Sequence, residues 1–202
     1  MDTQPAPSSD VAFTPSVKRI QSERGSRRSY ARIEERGGWE TTVTPELATF
    51  IASRDSFFLA TANASGQPYI QHRGGPPGFL RVIDDATIGF ADLPGNKQYI
   101  TLGNLAENEQ AFVFLIDYTT QRRVKLWVRA RVATDAATIQ SLQVPNGTAK
   151  ADQAIVLHLV AWDENCPQHI PQLVSAEKVE GYLASLHARI AELESELRKA
   201  TT

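Results

Sequence analysis

Apolar and polar positions alternate through much of residues 57–134, and the alternation predicts strands. Residues 57–62 (Phe-Phe-Leu-Ala-Thr-Ala) form an apolar run ending in Asn63-Ala64-Ser65-Gly66, a turn signal. An extended pattern resumes over 67–72, so 57–72 reads as a β-hairpin. Residues 79–83, 86–91, 110–116 and 124–133 are each strand-like, with Asp84-Asp85 as a tight connector. The last is the most regular. Val124, Leu126, Val128, Ala130 and Val132 fall on one face, and Arg123, Lys125, Trp127, Arg129 and Arg131 on the other. Residues 154–162 are almost continuously apolar, which predicts a strand covered on both faces, with His158 as a packed, hydrogen-bonded core histidine.

Helical patterns flank and interrupt these strands. Thr14 and Pro15 open a polar helix that runs toward Arg36 and is ended by Gly37-Gly38; its few apolar anchors are Val17, Ile20, Tyr30 and Ile33. Thr44-Pro45-Glu46 opens a second helix to Ser53, with Leu47, Phe50 and Ile51 as its buried stripe. A short helical pattern passes through Leu102 and Leu105, and another covers 136–144 before a turn at Pro145-Asn146-Gly147. From a Ser175 cap, Val179, Leu183, Leu186, Ile190, Leu193 and Leu197 recur at spacings of four and three, a heptad seam. Three heptads are marginal for an isolated coiled coil, so this helix is expected to pack on the body or to pair in a dimer. The organisation expected is a disordered Pro-, Ser- and Ala-rich tail (1–12), an N-terminal helical extension (13–43), a strand-rich domain (44–173) and a C-terminal helix (174–202).

Composition narrows the class. The 202 residues suit one domain with appendages, and 42% hydrophobic with 22% charged residues suits a soluble globular chain. Arg24, Arg27, Arg28 and Arg32 raise a nucleic-acid reading, but Glu23, Glu34 and Glu35 offset it. The net charge of −2 likewise points to no general nucleic-acid or membrane surface. A single cysteine excludes an internal disulfide and fits a reducing compartment. No apolar run reaches a membrane span and no signal-peptide core is present, so the expected location is the cytoplasm.

Candidate chemistry centres on Gln71-His72-Arg73-Gly74-Gly75-Pro76-Pro77-Gly78-Phe79. Gly/Pro clusters mostly mark surface turns. The same glycines would also let a flat ligand approach the main chain, next to an imidazole and a guanidinium. A helix opening at Asn96 would present free N–H groups and a positive dipole end, with Lys97 adding a full charge, an arrangement that suits a phosphate. An Asn cap beside a solvated Lys has the same sequence. Cys166 and His169 lie three apart, yet structural zinc needs four ligands and there is no second Cys, so no metal site is expected. Nothing in the sequence marks the Cys166 thiol as acidic.

Together, Gly66-Gln67-Pro68-Tyr69, the His-Arg-Gly-Gly-Pro-Pro-Gly-Phe run, Gly95-Asn96-Lys97, Asn104-Leu105-x-x-Asn108 and the segment from Trp162-Asp163 to Cys166-Pro167-Gln168-His169-Ile170-Pro171 resemble the pyridoxamine 5'-phosphate oxidase-like FMN-binding split barrels, over roughly residues 45–173. The resemblance implies a β-barrel with helices (α+β), antiparallel and Greek-key-like, forming a homodimer with FMN at the subunit interface. It implies Asn96 and Lys97 as phosphate contacts with Arg73 as a second cation, and Gln71, His72 and the Gly74 backbone at the isoalloxazine edge. It places Arg123 against the anionic cofactor, and Trp162 with Gln168 or His169 over the flavin or substrate side. It leaves the catalytic residues unknown. The chain departs from true pyridoxamine phosphate oxidases in its Arg-Gly-Gly-Pro-Pro-Gly loop and in lacking a match to their substrate-phosphate segment. Oxidation of vitamin B6 is therefore not implied. A flavin-dependent oxidoreductase acting on an unknown small molecule is. A non-catalytic flavin-binding or redox-sensing module, or a haem or deazaflavin binder on the same barrel, remains as an alternative.

Overall fold

In chain order the elements are a 3-10 turn at Ser8–Val11, helices α1 (Pro15–Glu23), α2 (Arg27–Glu34) and α3 (Pro45–Ala52), and strands β1 (Ser56–Ala62), β2 (Pro68–Gly74), β3 (Arg81–Val82) and β4 (Thr87–Asp92). Helix α4 (Ile100–Glu107), strands β5 (Gln110–Asp117) and β6 (Arg122–Ala133), helix α5 (Ala136–Leu142), strand β7 (Gln153–Asn165) and helix α6 (Ala176–Ala200) follow. This computed structural model describes residues 6–144, 150–165 and 167–201; the expected turn at 145–147 and Cys166 lie outside them. The seven strands form one sheet in the order β2-β1-β5-β6-β7-β4-β3, which with the helices gives the antiparallel α+β architecture expected. Internal contacts divide the chain into two units: residues up to 116 together with 123–165, and 117–122 together with the chain after 165.

In the first unit the alternation of β6 decides which way the sheet faces. Val124, Leu126, Val128 and Ala130 are buried, whereas Lys125 and Trp127 are half-buried and Arg129 is exposed. The buried row meets Phe57 and Leu59 of β1, Val113 and Leu115 of β5, and the Leu47, Phe50 and Ile51 stripe of α3 in one core. Helix α3 starts as its sequence dictates: the Thr44 hydroxyl accepts the Leu47 N–H, and Pro45 occupies the first turn, where no N–H is needed.

β7 is covered on both faces only in part. Ala154 to Leu157 are all buried, because Leu142 of α5 closes a second small cluster with Ala91, Ala133, Ala154 and Val156. His158 lies past that cover and is exposed, paired in register with Thr87 and Arg129. The expected core histidine is therefore a surface residue. Its burial depended on a helix elsewhere in the chain, not on its apolar neighbours.

The N-terminal extension differs from one continuous helix. Gly25 adopts φ +80°, a left-handed conformation that glycine tolerates, and splits the polar segment into α1 and α2. The two halves are tied by Glu34, which pairs with Arg27 and with Lys18; Lys18 also reaches Asp10. Residues 8–11, expected within a disordered tail, are ordered. Ser9 is fully buried, and the Ser8 hydroxyl donates to the Trp39 carbonyl. Residues 1–5 lie outside the described residues. An aromatic series, Tyr30–Phe13–Trp39–Trp127–Phe112, with centroids 4.6 to 5.2 Å apart, carries the extension onto the polar face of β6.

Arg27, backed by Lys18, holds the Glu34 carboxyl below the ordinary carboxylate range. A folded-state value below the unfolded one of about 4.3 stabilises above that value and is lost as pH falls through the folded value. Acidification below about pH 4 is therefore expected to loosen α1 and α2. Trp fluorescence during acid titration should show this early phase, and Glu34→Gln should remove it; an unchanged profile would exclude Glu34 as its origin.

In the second unit, the Tyr118 carbonyl accepts the Leu173 N–H. The Ser175 hydroxyl caps α6 by accepting the Lys178 N–H, as its sequence predicts. No described helix is long and apolar enough to cross a membrane.

Candidate functional site

β2 lies at one edge of the sheet, and its residues alternate between two environments. Tyr69, Gln71 and Arg73 are half-buried, while Ile70, His72 and Gly74 point the other way and are exposed. The half-buried row forms the floor of a cavity of about 450 Å³. Its walls are Asp92 at the end of β4, the segment Leu93–Tyr99, the first turn of α4 (Ile100, Thr101, Leu102), and Asp152 and Gln153 at the start of β7.

Polar contacts fix this shape. Arg73 Nη1 donates to Asp92 Oδ1 at 2.8 Å, with both side chains mostly buried (15% and 10% exposed), and the guanidinium lies 5.5 Å from the Phe90 ring. Gln153 Nε2 donates to the other Asp92 oxygen at 2.8 Å, which holds that carboxylate from two sides. Arg73 Nε is buried without a hydrogen-bond partner among the described residues. The Thr101 hydroxyl donates to Gln71 Oε1 at 2.8 Å, and Asn104 Nδ2 donates to Thr61 Oγ1 at 2.9 Å. These two bonds pin α4 to β2 and β1.

α4 begins at Ile100 and not at Asn96. Lys97 (φ +59°) and Tyr99 (φ +56°) are left-handed, so the backbone cannot run helically from Asn96, whose side chain instead accepts the Gln98 N–H. The first intrahelical bond is Gly103 N–H to the Tyr99 carbonyl. Ile100, Thr101 and Leu102 thus begin the helix with no side-chain cap, and they line the cavity. Two non-glycine residues with positive φ within three positions are a costly local arrangement of the kind that clusters at ligand clamps. Of the charges present, Arg73 and Asp92 neutralise each other, and Lys97 and Asp152 are exposed at the walls.

The structure divides the residues singled out by sequence. Gln71, Arg73, Asn96 and Lys97 come together around the cavity. His72 does not: it neighbours Gln71 in sequence but faces the other side of β2, where its ring meets Phe58 edge-on at 5.6 Å. Gly74 shares that outer side, within 3.2 Å of the His72 ring measured from an added Cβ. The space left by the absent Gly75 side chain is taken by Phe79, whose Cγ would lie 2.7 Å from a Cβ there, so this bend packs on its own chain. Arg123 and Trp162 lie on β6 and β7 and do not line the cavity. The Trp162 indole donates to the Thr42 carbonyl, and Arg123 Nε, like that of Arg73, is buried without a partner among the described residues. Gln168 and His169 belong to the second unit, where both are exposed and His169 has φ +65°. Tyr69, Asp92, Thr101, Asp152 and Gln153 are not among the site residues expected from the sequence. Tyr69 could have been, since it lies two positions before Gln71 on the same face. No group of three His, Cys, Asp or Glu residues that could hold a metal exists among the described residues.

Residues 43–164, more than half of the chain, match the model of a family described as pyridoxamine 5'-phosphate oxidase. Among solved structures, HupZ of Group A Streptococcus superposes with a TM-score of 0.51 at 17% identity, covering 65% of this chain and 98% of that one. A point variant of HupZ gives 0.51 at 16% identity over 61% and 99%. An FMN-binding protein of Syntrophomonas wolfei gives 0.46 at 17% identity over 72% and 97%. At these identities the likeness to HupZ is one of fold. No curated protein matches the sequence.

Proposed function

The chain belongs to the pyridoxamine 5'-phosphate oxidase family of split-barrel proteins, and from that premise we propose that it binds FMN in the cavity between β2 and α4 and serves as a flavin-dependent oxidoreductase for a small molecule. The observation that carries this reading is an uncapped helix start beside Lys97 at a cavity of about 450 Å³, a size within the roughly 300–1,000 Å³ typical of cofactor sites. The residues present fit the cofactor's chemistry. The first-turn amides of α4 with Lys97 and Asn96 would hold the phosphate, the Nε of Arg73 is a donor without an acceptor among the described residues, and Tyr69 and Gln71 offer a flat wall with a polar edge. When bound, the flavin supplies the electron chemistry, while the protein contributes orientation and electrostatics. The ion pair between Arg73 and Asp92 holds its guanidinium in one place, so that donor would need little reorganisation when a ligand enters.

A homodimer is part of the proposal. The face of the sheet away from the core carries a shallow depression lined by Ala60, Phe112 and Trp127, and Ile70 of the edge strand is 62% exposed. An apolar surface of this kind suits a subunit contact. The competing reading is a flavin-binding or sensing module without turnover. Anaerobic reduction with a nicotinamide donor, followed by an acceptor screen, separates the two.

Lys97→Ala tests the phosphate assignment. Loss of a charge-assisted bond of roughly 1.5–3 kcal/mol should weaken FMN binding about 10- to 100-fold in a fluorescence-quench titration. Lys97 is exposed, so the melting temperature of the flavin-free protein should barely move. Unchanged affinity would remove Lys97 from the site.

A further inference from the structure

Helix α6 carries a continuous apolar stripe that no described residue of its own unit buries. Val179, Leu183, Leu186, Ile190, Leu193 and Leu197 are 42% to 67% exposed, and no described residue of the helix is buried. At about 1.5 Å per residue the helix runs roughly 37 Å. Its opposite side (Gly181, Ala184, Ala188, Ala191, Ser195) is small, so the helix has one sticky face only. We propose that this face pairs with α6 of a second copy of the chain as a parallel, in-register two-stranded coiled coil. The proposal stands independently of the flavin reading.

The seam sets the phase. Leu183, Ile190 and Leu197 occupy the a positions, and Val179, Leu186 and Leu193 the d positions. Ile190 at the central a layer, between Leu186 and Leu193 at d, follows the pattern that favours two strands. The flanking charges then choose the direction. In a parallel pair each g residue faces the e residue five positions on in the other helix. This puts Arg189 opposite Glu194 of the second copy, twice by symmetry, and places Tyr182 beside His187. An antiparallel pair sharing the same seam would centre on Ala188 and bring like charges together: Glu180 against Glu194 twice, and Arg189 against Arg189. Attraction in one orientation and repulsion in the other is how flanking charges select coiled-coil direction. In the single chain Arg189 is bonded to Glu192 of its own helix, with both side chains 58% exposed, so exchanging that surface partner for Glu194 of the second copy costs little.

Cysteine cross-linking in the full-length chain tests this, with Cys166→Ser removing the native thiol. A parallel register sets each a position against itself. Leu183→Cys and Ile190→Cys should therefore each form a covalent dimer under a mild thiol oxidant at least about tenfold faster than Ala188→Cys on the opposite side. In an antiparallel pair Leu183 would lie beside Leu193, so Leu183→Cys would not link to itself. Adding Arg189→Glu to Leu183→Cys should slow cross-linking several-fold, and Glu194→Arg in the same chain should restore it. Rates at Leu183 or Ile190 no faster than at Ala188, or no response to the charge reversal and its restoration, would overturn the proposal.

Discussion

An Arg73→Met variant is expected to lose about 2–4 kcal/mol of unfolding free energy together with its capacity to retain FMN. Met offers an unbranched apolar side chain of similar volume in place of the guanidinium beside Phe90, so the change removes charge more than volume. What it leaves behind is Asp92, 10% exposed and without its cationic partner, still bonded to Gln153. Breaking a buried pair from one side costs about 3–5 kcal/mol because a charge is stranded; the residual exposure here reduces that somewhat. The double variant Arg73→Met/Asp92→Asn should recover most of the stability, since neutral Asn can still accept from Gln153. It should not recover flavin binding, because the donor at position 73 is still missing. Urea unfolding of the two single variants and the double measures the coupling. Losses that simply add, within about 0.5 kcal/mol, would mean that the pair is not what holds the floor of the cavity. Restored stability with restored flavin retention would separate Arg73 from the site while leaving its structural role intact.

How much could be read from the sequence depended on whether the cause was local. The faces of β6, the α3 stripe and the caps at Thr44 and Ser175 follow from period and capping chemistry within a few residues, and they were legible. The break at Gly25 was not, because a pattern rich in Arg and Glu reads as helical throughout. What rewards the break is Glu34 meeting Lys18 from the other half. The start of α4 was misplaced because left-handed Lys97 and Tyr99 carry no sequence warning; glycine or asparagine would have given one. Asp92 and Gln153 reach the cavity because β4 and β7 pair them in register across 61 positions, which is a property of the sheet. His72 is a different case. Alternation along β2 was enough to separate it from Gln71 and Arg73 and to add Tyr69, so that part of the site was legible to the period-two rule alone.

Gly38→Ala is expected to undock the N-terminal segment, and Gly37→Ala supplies the comparison that isolates why. Both glycines sit near φ +100°, so either alanine carries left-handed strain of about 1–2 kcal/mol. Around Gly37 an added Cβ would meet nothing within 4 Å. At Gly38 it would lie 2.6 Å from Ser8 N and 2.7 Å from Ser9 N, both backbone atoms that cannot rotate aside. The 3-10 turn at residues 8–11 would have to move. It would give up the Ser8 N–H bond to the Gly37 carbonyl at 2.9 Å, the Ser8 hydroxyl bond to Trp39 and the burial of Ser9. Overpacking of this kind costs typically 1–3 kcal/mol beyond the strain, and the loss cannot exceed what docking the segment contributes. Phe13, whose ring lies tilted against Trp39 at 4.9 Å, follows the turn, so the stacked indole pair Trp39–Trp127 becomes accessible to quenchers. Gly38→Ala should therefore show raised acrylamide quenching and faster tryptic cleavage at Lys18 and Arg19, whereas Gly37→Ala should lose stability with neither. Matching behaviour in the two variants would mean that left-handed strain acts alone, and that residues 8–11 contribute nothing to holding the extension on the sheet.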